Sequence, residues 1–309
     1  MIIEPTYIQQ AQHLVPPEAV TVSARTVLTA HSSAVFEQLR GDPVRLYGVD
    51  SGFFYLPLAM ALFFGDDQPE SLLELATTIA VGHGHFAIMD QVLDARTVSL
   101  PLIPAAQIML SCYLSRMDRS YGAVFDVRAA HDASYLPYAE AALTEHSQRG
   151  TLRSQLDADL SQLGAKSAPA CMPLRAILTR AGEEDRCDAV ESAFLSFADA
   201  LQLLDDLADL RPDFTDQLSS IPLNLLLFHA MDLRVWPERG EITSADLHAL
   251  ASLSGVDRSC LTIASGILVE AEEKARVAGA LPLQQAARAR LAATRVKLDR
   301  CREAALLLR

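Results

Sequence analysis

The chain has 309 residues, half of them apolar, enough to close a large core. Its 39 acidic against 26 basic side chains leave a net charge of -13 at pH 7, which argues against nucleic acid or any phosphate-backbone partner unless metals intervene. Five dispersed cysteines, Cys112, Cys171, Cys187, Cys260 and Cys301, form no CxxC pair, and they fit reduced thiols in a cytoplasmic protein better than a disulfide framework.

The first stretch, MIIEPTYIQQAQHLVPPEAV, has no basic or apolar leader pattern, and with Pro16 and Pro17 it reads as a loose N-terminal arm over residues 1–20. Beyond it apolar residues recur at helical spacing and strand-like alternation is hard to find. The predicted class is therefore all-α, one domain of about eight to ten helices. Turn signals at GDP (41–43), GDDQPE (65–70), SQRG (147–150), GAKSAP (164–169), RAGEED (180–185), RPDFTD (211–216), PERGEIT (237–243) and GALP (279–282) separate them.

GFFYLPLAMALFFG (52–65) is too short to cross a membrane. Pro69 suits the first turn of a helix through SLLELATTIAVGHGHF. In its GHGH run the glycines imply close helix packing, and His83 and His85, two apart and so on different faces, read as core or cavity-edge residues rather than a ligand pair. TVSLPLIPAAQIMLSCYL (97–114) is uncharged, yet Pro101, Pro104, Gln107 and the absence of basic flanks make it a buried helix rather than a span. His131 and Asp132 match the two-residue signature of HD-type metal phosphohydrolases, a pair that arises by chance in helical proteins. Thr243 with Asp246 forms a capping-box pattern ahead of LHALASL, and the basic run 288–309 reads as a solvated helical face.

Two acidic clusters stand out. Along 190–210 the residues Val190, Phe194, Phe197, Leu201, Leu204 and Ala208 make one apolar stripe and Leu203, Leu207 and Leu210 a second, so the helix is expected to be buried nearly all round. Asp205 and Asp209 continue the Leu201 line and Asp206 lies one step round, which aims the acids at the core. The second cluster is MDQVLD (89–94), where Asp90 and Asp94 are four apart at the end of another apolar helix. Five carboxylates in low dielectric repel unless a divalent cation joins them. Hard oxygen ligands select magnesium, which shares its shell with substrate phosphates. The residues thus imply a phosphate or diphosphate ester. Asp213, just beyond Pro212, reads as a loop carboxylate rather than a further ligand.

AFLSFADALQLLDDLAD (193–209) resembles the second aspartate-rich motif of the trans-isoprenyl diphosphate synthase and class I terpene synthase superfamily, with Gln202 three residues ahead of Asp205, Asp206 and Asp209. DQVLD (90–94) is similar to the family's first DDxxD motif with Gln91 replacing the second Asp, about 115 residues upstream. Lys166, followed by Ser167, sits where the family's diphosphate-binding Lys falls, and SIPLNLLL (220–227) resembles the Leu-rich helix after the second motif.

The resemblance covers roughly residues 40–300. It implies an all-helical bundle around a deep apolar cavity and three magnesium ions bound with the diphosphate. It also implies ionisation of an allylic diphosphate and a homodimer. Asp90, Asp94, Asp205 and Asp209 would hold metal and Asp206 would join them in catalysis; Lys166, Gln202, Gln91 and Phe86 would meet substrate. Phe86 with His85 hints at a limited cavity depth. Phe53, Phe54, Tyr113, Phe194 and Phe197 are further aromatics that could face a cation.

The Gly-Lys-x-x-Arg patch and the Arg pair that hold isopentenyl diphosphate in elongating members have no counterpart, since only Arg96 follows the first cluster. One diphosphate site kept and one lost fits a terpene synthase acting on a single C15 or C20 prenyl diphosphate. The alternatives are a chain-elongating synthase and a non-catalytic synthase-like subunit.

Overall fold

The computed structural model describes residues 6–31, 54–94, 102–147, 160–216, 220–232 and 243–307. Among these residues there are thirteen α-helices, two 3-10 segments and no strand. The helices are α1 (Tyr7–Leu14), α2 (Pro17–His31), α3 (Leu56–Phe63), α4 (Pro69–Asp94), α5 (Leu102–Tyr121), α6 (Val127–Ser147), α7 (Cys171–Arg180), α8 (Cys187–Ala208), α9 (Leu210–Asp216), α10 (Ile221–Asp232), α11 (Ser244–Ser254), α12 (Val256–Val277) and α13 (Leu281–Leu307). The 3-10 segments are Leu160–Ala170 and Glu184–Arg186. The all-α expectation holds and the helix number was set too low. α1, α3 and α9, seven or eight residues each, are too short to show a full apolar period.

The chain packs as two compact units, residues 1–135, 169–191 and 276–286 in unit 1 and residues 136–168, 192–275 and 287–309 in unit 2. In unit 1, α4 packs on α2 and α5. Val20, Ala24 and Leu28 recur every four residues on α2 and are wholly buried. A Leu so buried contributes roughly 2 kcal/mol relative to exposure. Arg116 of α5 reaches α4, donating to Glu74 Oε2 at 2.5 Å and to Thr78 Oγ1 at 3.2 Å. At Gly82 of α4 a Cβ would fall 2.8 Å from the Tyr113 ring, so the expected close packing at this glycine is real. Among the described residues α4 is the one helix long and apolar enough to cross a membrane, and Leu72, Ala76, Ala80, Val81 and Ile88 bury its apolar face inside unit 1. The 97–114 stretch overlaps α5, whose Ala105, Ala106, Met109, Cys112 and Tyr113 are buried.

The N-terminal segment is not a loose arm from residue 6 onward. Thr6 and Gln9 make a reciprocal capping box, with Thr6 N donating to Gln9 Oε1 at 2.8 Å and Gln9 N to Thr6 Oγ1 at 3.3 Å. Pro17 opens α2 rather than breaking the chain. Ala11, Val15 and Val20 are buried, α1 packs on α3, and Tyr55 OH donates to Val15 O at 2.9 Å.

Unit 2 has its own core: Leu203, Leu210 and Phe214 from α8 and α9 meet Leu223 and Leu226 of α10, Leu247 and Ala251 of α11, Cys260 and Ala264 of α12 and Leu298 of α13. The Leu-rich helix after 220 is present as α10, and the Thr243–Asp246 capping box opens α11. All five cysteines are free thiols, four of them buried.

Candidate functional site

α8 fixes the acids of unit 2. Its apolar stripes are buried as far as Phe197, Leu203 and Leu204, and at Asp205 the helix opens to solvent. Asp205, Ala208 and Asp209 are exposed, so the expectation that the Leu201 line carries the acids inward is corrected. The inward carboxylates are Asp206, half-buried, and Asp213, 8% exposed. They stand seven residues apart, two helical turns on one face. The break after Ala208 does not disturb this line, because Asp209 N donates to Asp205 O at 2.9 Å and Asp213 N to Asp209 O at 3.0 Å. Pro212 falls within the first turn of α9, where its missing N–H costs nothing, so Asp213 is a buried helical acid and not a loop carboxylate.

The surroundings of these acids favour the protonated form. Burial pushes Asp206 up to about 7, with the charges of Asp213, Glu145 and Asp205 adding to it and a hydrogen bond from Gln202 opposing. Gln202 Nε2 donates to Asp206 Oδ1 at 2.7 Å, which gives the residue three ahead of the acidic pair a definite partner. Burial likewise raises Asp213 to about 6, partly offset by the neighbouring Ser220 hydroxyl and reinforced by Asp209, Glu145 and Asp205. Asp205, at the solvent edge, is raised by partial desolvation and by Asp209, while Arg290 of α13 draws it back down. Arg290 thus brings the basic C-terminal run to bear on Asp205.

Lys166 lies in the 3-10 segment Leu160–Ala170 rather than in an open loop. It is ion-paired with Glu145 of α6, and both side chains are mostly shielded from solvent. Glu145 was not foreseen and carries no motif. Its charge is felt by Asp206 and Asp213, which places the ion pair in the same electrostatic neighbourhood.

In unit 1, α4 ends in Asp90, Gln91 and Asp94. Asp90 is half-buried and Gln91 exposed. One turn before Asp90, Phe86 is half-buried with its ring edge-on to His85 at 4.8 Å and tilted towards Tyr135 at 6.3 Å. His85 is wholly buried. Its Nδ1–H donates to Ala106 O at 2.8 Å, and its Nε2 has no hydrogen-bond partner among the described residues. His131 is buried beside Tyr135 while Asp132 is exposed, so the two do not converge as an HD pair would. Phe54, Tyr113, Phe194 and Phe197 are buried; Phe53 and Arg96 lie outside the described residues.

The donor chemistry of unit 2 suits a hard divalent cation. Its acids are raised by burial and, beyond that, by mutual repulsion that a cation would relieve. No three His, Cys, Asp or Glu side chains among the described residues already form a closed metal-binding group.

The helical arrangement has a counterpart among solved structures. A geranylgeranyl pyrophosphate synthase from Lactobacillus brevis ATCC 367, complexed with citrate, matches with a TM-score of 0.62 over 92% of this chain and 95% of that chain, at 19% identity. The fold is that of the isoprenoid synthases. No family model matches the sequence, and no curated protein matches it significantly. Within the isoprenoid-synthase fold, the 19% identity leaves chemistry to be argued from the side chains.

Proposed function

We propose that the chain is a class I terpene synthase that ionises, and then cyclises, a single C15 or C20 prenyl diphosphate. The observation that carries this reading is the inward line of half-buried Asp206 and buried Asp213 on α8 and α9, next to Asp205 and Asp209 and within the field of the Lys166–Glu145 ion pair, where burial and like charge favour the protonated acids. Such a group stores unfavourable charge that magnesium and a diphosphate together relieve.

In this reading Asp205, Asp206 and Asp209 would hold magnesium, and Asp90 and Asp94, the acids of the first motif, would be magnesium ligands as well. The bound ions supply Lewis acidity to the departing diphosphate. Lys166 exchanges Glu145 for a diphosphate oxygen, and Gln202 orients Asp206. The allylic C–O bond breaks with its electron pair leaving on the diphosphate, and the apolar fold keeps water from the carbocation. Phe86, a half-buried ring near the end of α4, is a face for that cation. The likeness over 92% of the chain to one solved chain supports treating residues 1–309 as one catalytic domain. We place the enzyme in the cytoplasm as a homodimer, on the resemblance of its motifs.

A chain-elongating prenyl synthase is the second reading, favoured by the name of the matching solved structure. A non-catalytic subunit is the third, favoured by Gln91 in the first cluster. The test is to incubate purified protein and magnesium with geranyl, farnesyl or geranylgeranyl diphosphate, each with and without isopentenyl diphosphate, followed by mass spectrometry of the extracts. A hydrocarbon or alcohol from one diphosphate alone, abolished in Asp206→Asn and Asp90→Ala, is the expected result. Longer diphosphates formed only with isopentenyl diphosphate would establish the second reading, and absence of turnover the third.

A further inference from the structure

Asp199 belongs to neither aspartate-rich cluster. It sits in α8 two turns before Asp206 on the same face, is 9% exposed, and its Oδ1 accepts the Gly164 amide at 2.5 Å. Gly164 is seated against α8 so closely that a Cβ there would fall 2.7 Å from Leu195 O, 2.9 Å from Asp199 N and 2.9 Å from Asp199 Oδ1. The backbone of the 3-10 segment therefore rests directly on the helix, with no room for a side chain.

Packing alone does not account for the acid. An apolar residue of similar size would fill the position without desolvating a carboxylate, and a buried carboxylate is retained where it makes hydrogen bonds. A carboxylate bonded to a backbone amide is among the stronger and more directional clamps available. Two residues beyond Gly164 stands Lys166, whose ammonium is held by Glu145. Lys166 is thus restrained both through the backbone that leads to it and on its charge, and an arriving diphosphate would exchange the restraint on the charge.

We propose that Asp199 is a positioning residue: by clamping the Gly164 amide it docks the Leu160–Ala170 segment on α8 and sets Lys166 in register with the acids two turns further along that helix. The inference rests on the diphosphate-site reading above and assigns to that site a residue outside its motifs.

The experiment is calorimetric titration of inorganic diphosphate with magnesium into the full chain and into Lys166→Ala, Asp199→Ala, Asp199→Asn, Gly164→Ala and the Asp199→Ala/Lys166→Ala double variant. Asp199→Ala and Gly164→Ala are expected to weaken diphosphate binding about tenfold, as loss of a charge-assisted hydrogen bond would. Asp199→Asn, which keeps an oxygen acceptor, is expected to stay within about threefold of wild type. In the Lys166→Ala background the Asp199 change should cost nothing further, because both act through one ammonium group. Unchanged affinity in a folded Asp199→Ala protein would overturn the proposal, as would losses that simply add in the double variant. Should Asp199→Ala not fold, the same comparison is made with Gly164→Ala on the two backgrounds. Wild-type protein that binds no diphosphate would overturn the site reading itself, and the proposal with it.

Discussion

Asp206 and Asp213 share one face of the α8–α9 line, and the charge of Asp213 adds to burial in holding the Asp206 proton. For an acid whose folded pKa of about 7 lies above the ordinary 3.8, the folded state keeps a proton that the unfolded chain has lost. Stability therefore falls as pH rises from about 4 through about 7. Asp206→Asn should raise the melting temperature of the metal-free protein by about 2–3 °C near pH 8, and the gain should shrink towards pH 5. The same variant should lose the stabilisation that magnesium gives wild type. Thermal denaturation in chelator and in magnesium reads both effects, and a variant that melts lower than wild type in chelator near pH 8 would refute the repulsion argument.

Glu145 occupies the Lys166 ammonium and adds to the charge felt by Asp206 and Asp213. Glu145→Gln should remove this competitor for the lysine and tighten inorganic diphosphate binding by about three- to tenfold at low magnesium, the range of one charge-assisted contact. Lys166→Ala should do the reverse. Titration of diphosphate into each variant checks the pair, and parallel changes in both would show that the contact is incidental.

His85 supplies a pH dependence of opposite sign. Burial lowers its pKa, the Ala106 carbonyl bond opposes this, and nearby His131 lowers it further. The folded state resists a proton that the unfolded chain takes up near the ordinary 6.5, so this part of the stability is present above that pH and is lost as pH falls. His85→Leu removes the Ala106 bond, and wild type should be the more stable near pH 8 by about 1 kcal/mol. That advantage should narrow towards pH 5.5 in chemical denaturation. A constant gap would mean that His85 does not titrate between the two states.

Gly82→Ala tests the packing of α4 on α5. Alanine gains about 1 kcal/mol of helix propensity, but its methyl would lie 2.8 Å from the ring of Tyr113, which is 3% exposed and enclosed. The overpacking cost of about 1–3 kcal/mol should prevail, lowering the denaturation midpoint. Gly82→Ala with Tyr113→Leu should recover part of the loss.

Helix class, the starts at Pro69 and Thr243, and Gln202 beside the acidic pair were legible because each depends on neighbours in sequence. The capping box at Thr6 and Gln9 was equally local and was hidden only by the two prolines that follow it. Asp199, Asp206 and Asp213 repeat every seven residues, a polar line the sequence carries but apolar stripes overshadow. Glu145 was not legible: its partner is twenty-one residues away on a different element, and no spacing rule joins them. Which face of α8 turns inward likewise depends on the core that α10, α11, α12 and α13 complete around Leu203 and Leu210.

The weaving of unit 1 from three stretches bears on how the chain is made. Tyr7 N donates to Gln285 Oε1 at 3.3 Å, and Arg186 Nε and Nη2 donate to the carbonyls of Ala278 and Gly279. During synthesis residues 1–135 emerge with α1, α2 and α4 able to pair locally, while these later partners do not yet exist. Completion of unit 1 thus waits on residues translated about 140 positions after its longest stretch. Truncation before residue 276 should leave a nascent-like species with exposed apolar surface, the kind that aggregates, rather than a shorter stable fragment.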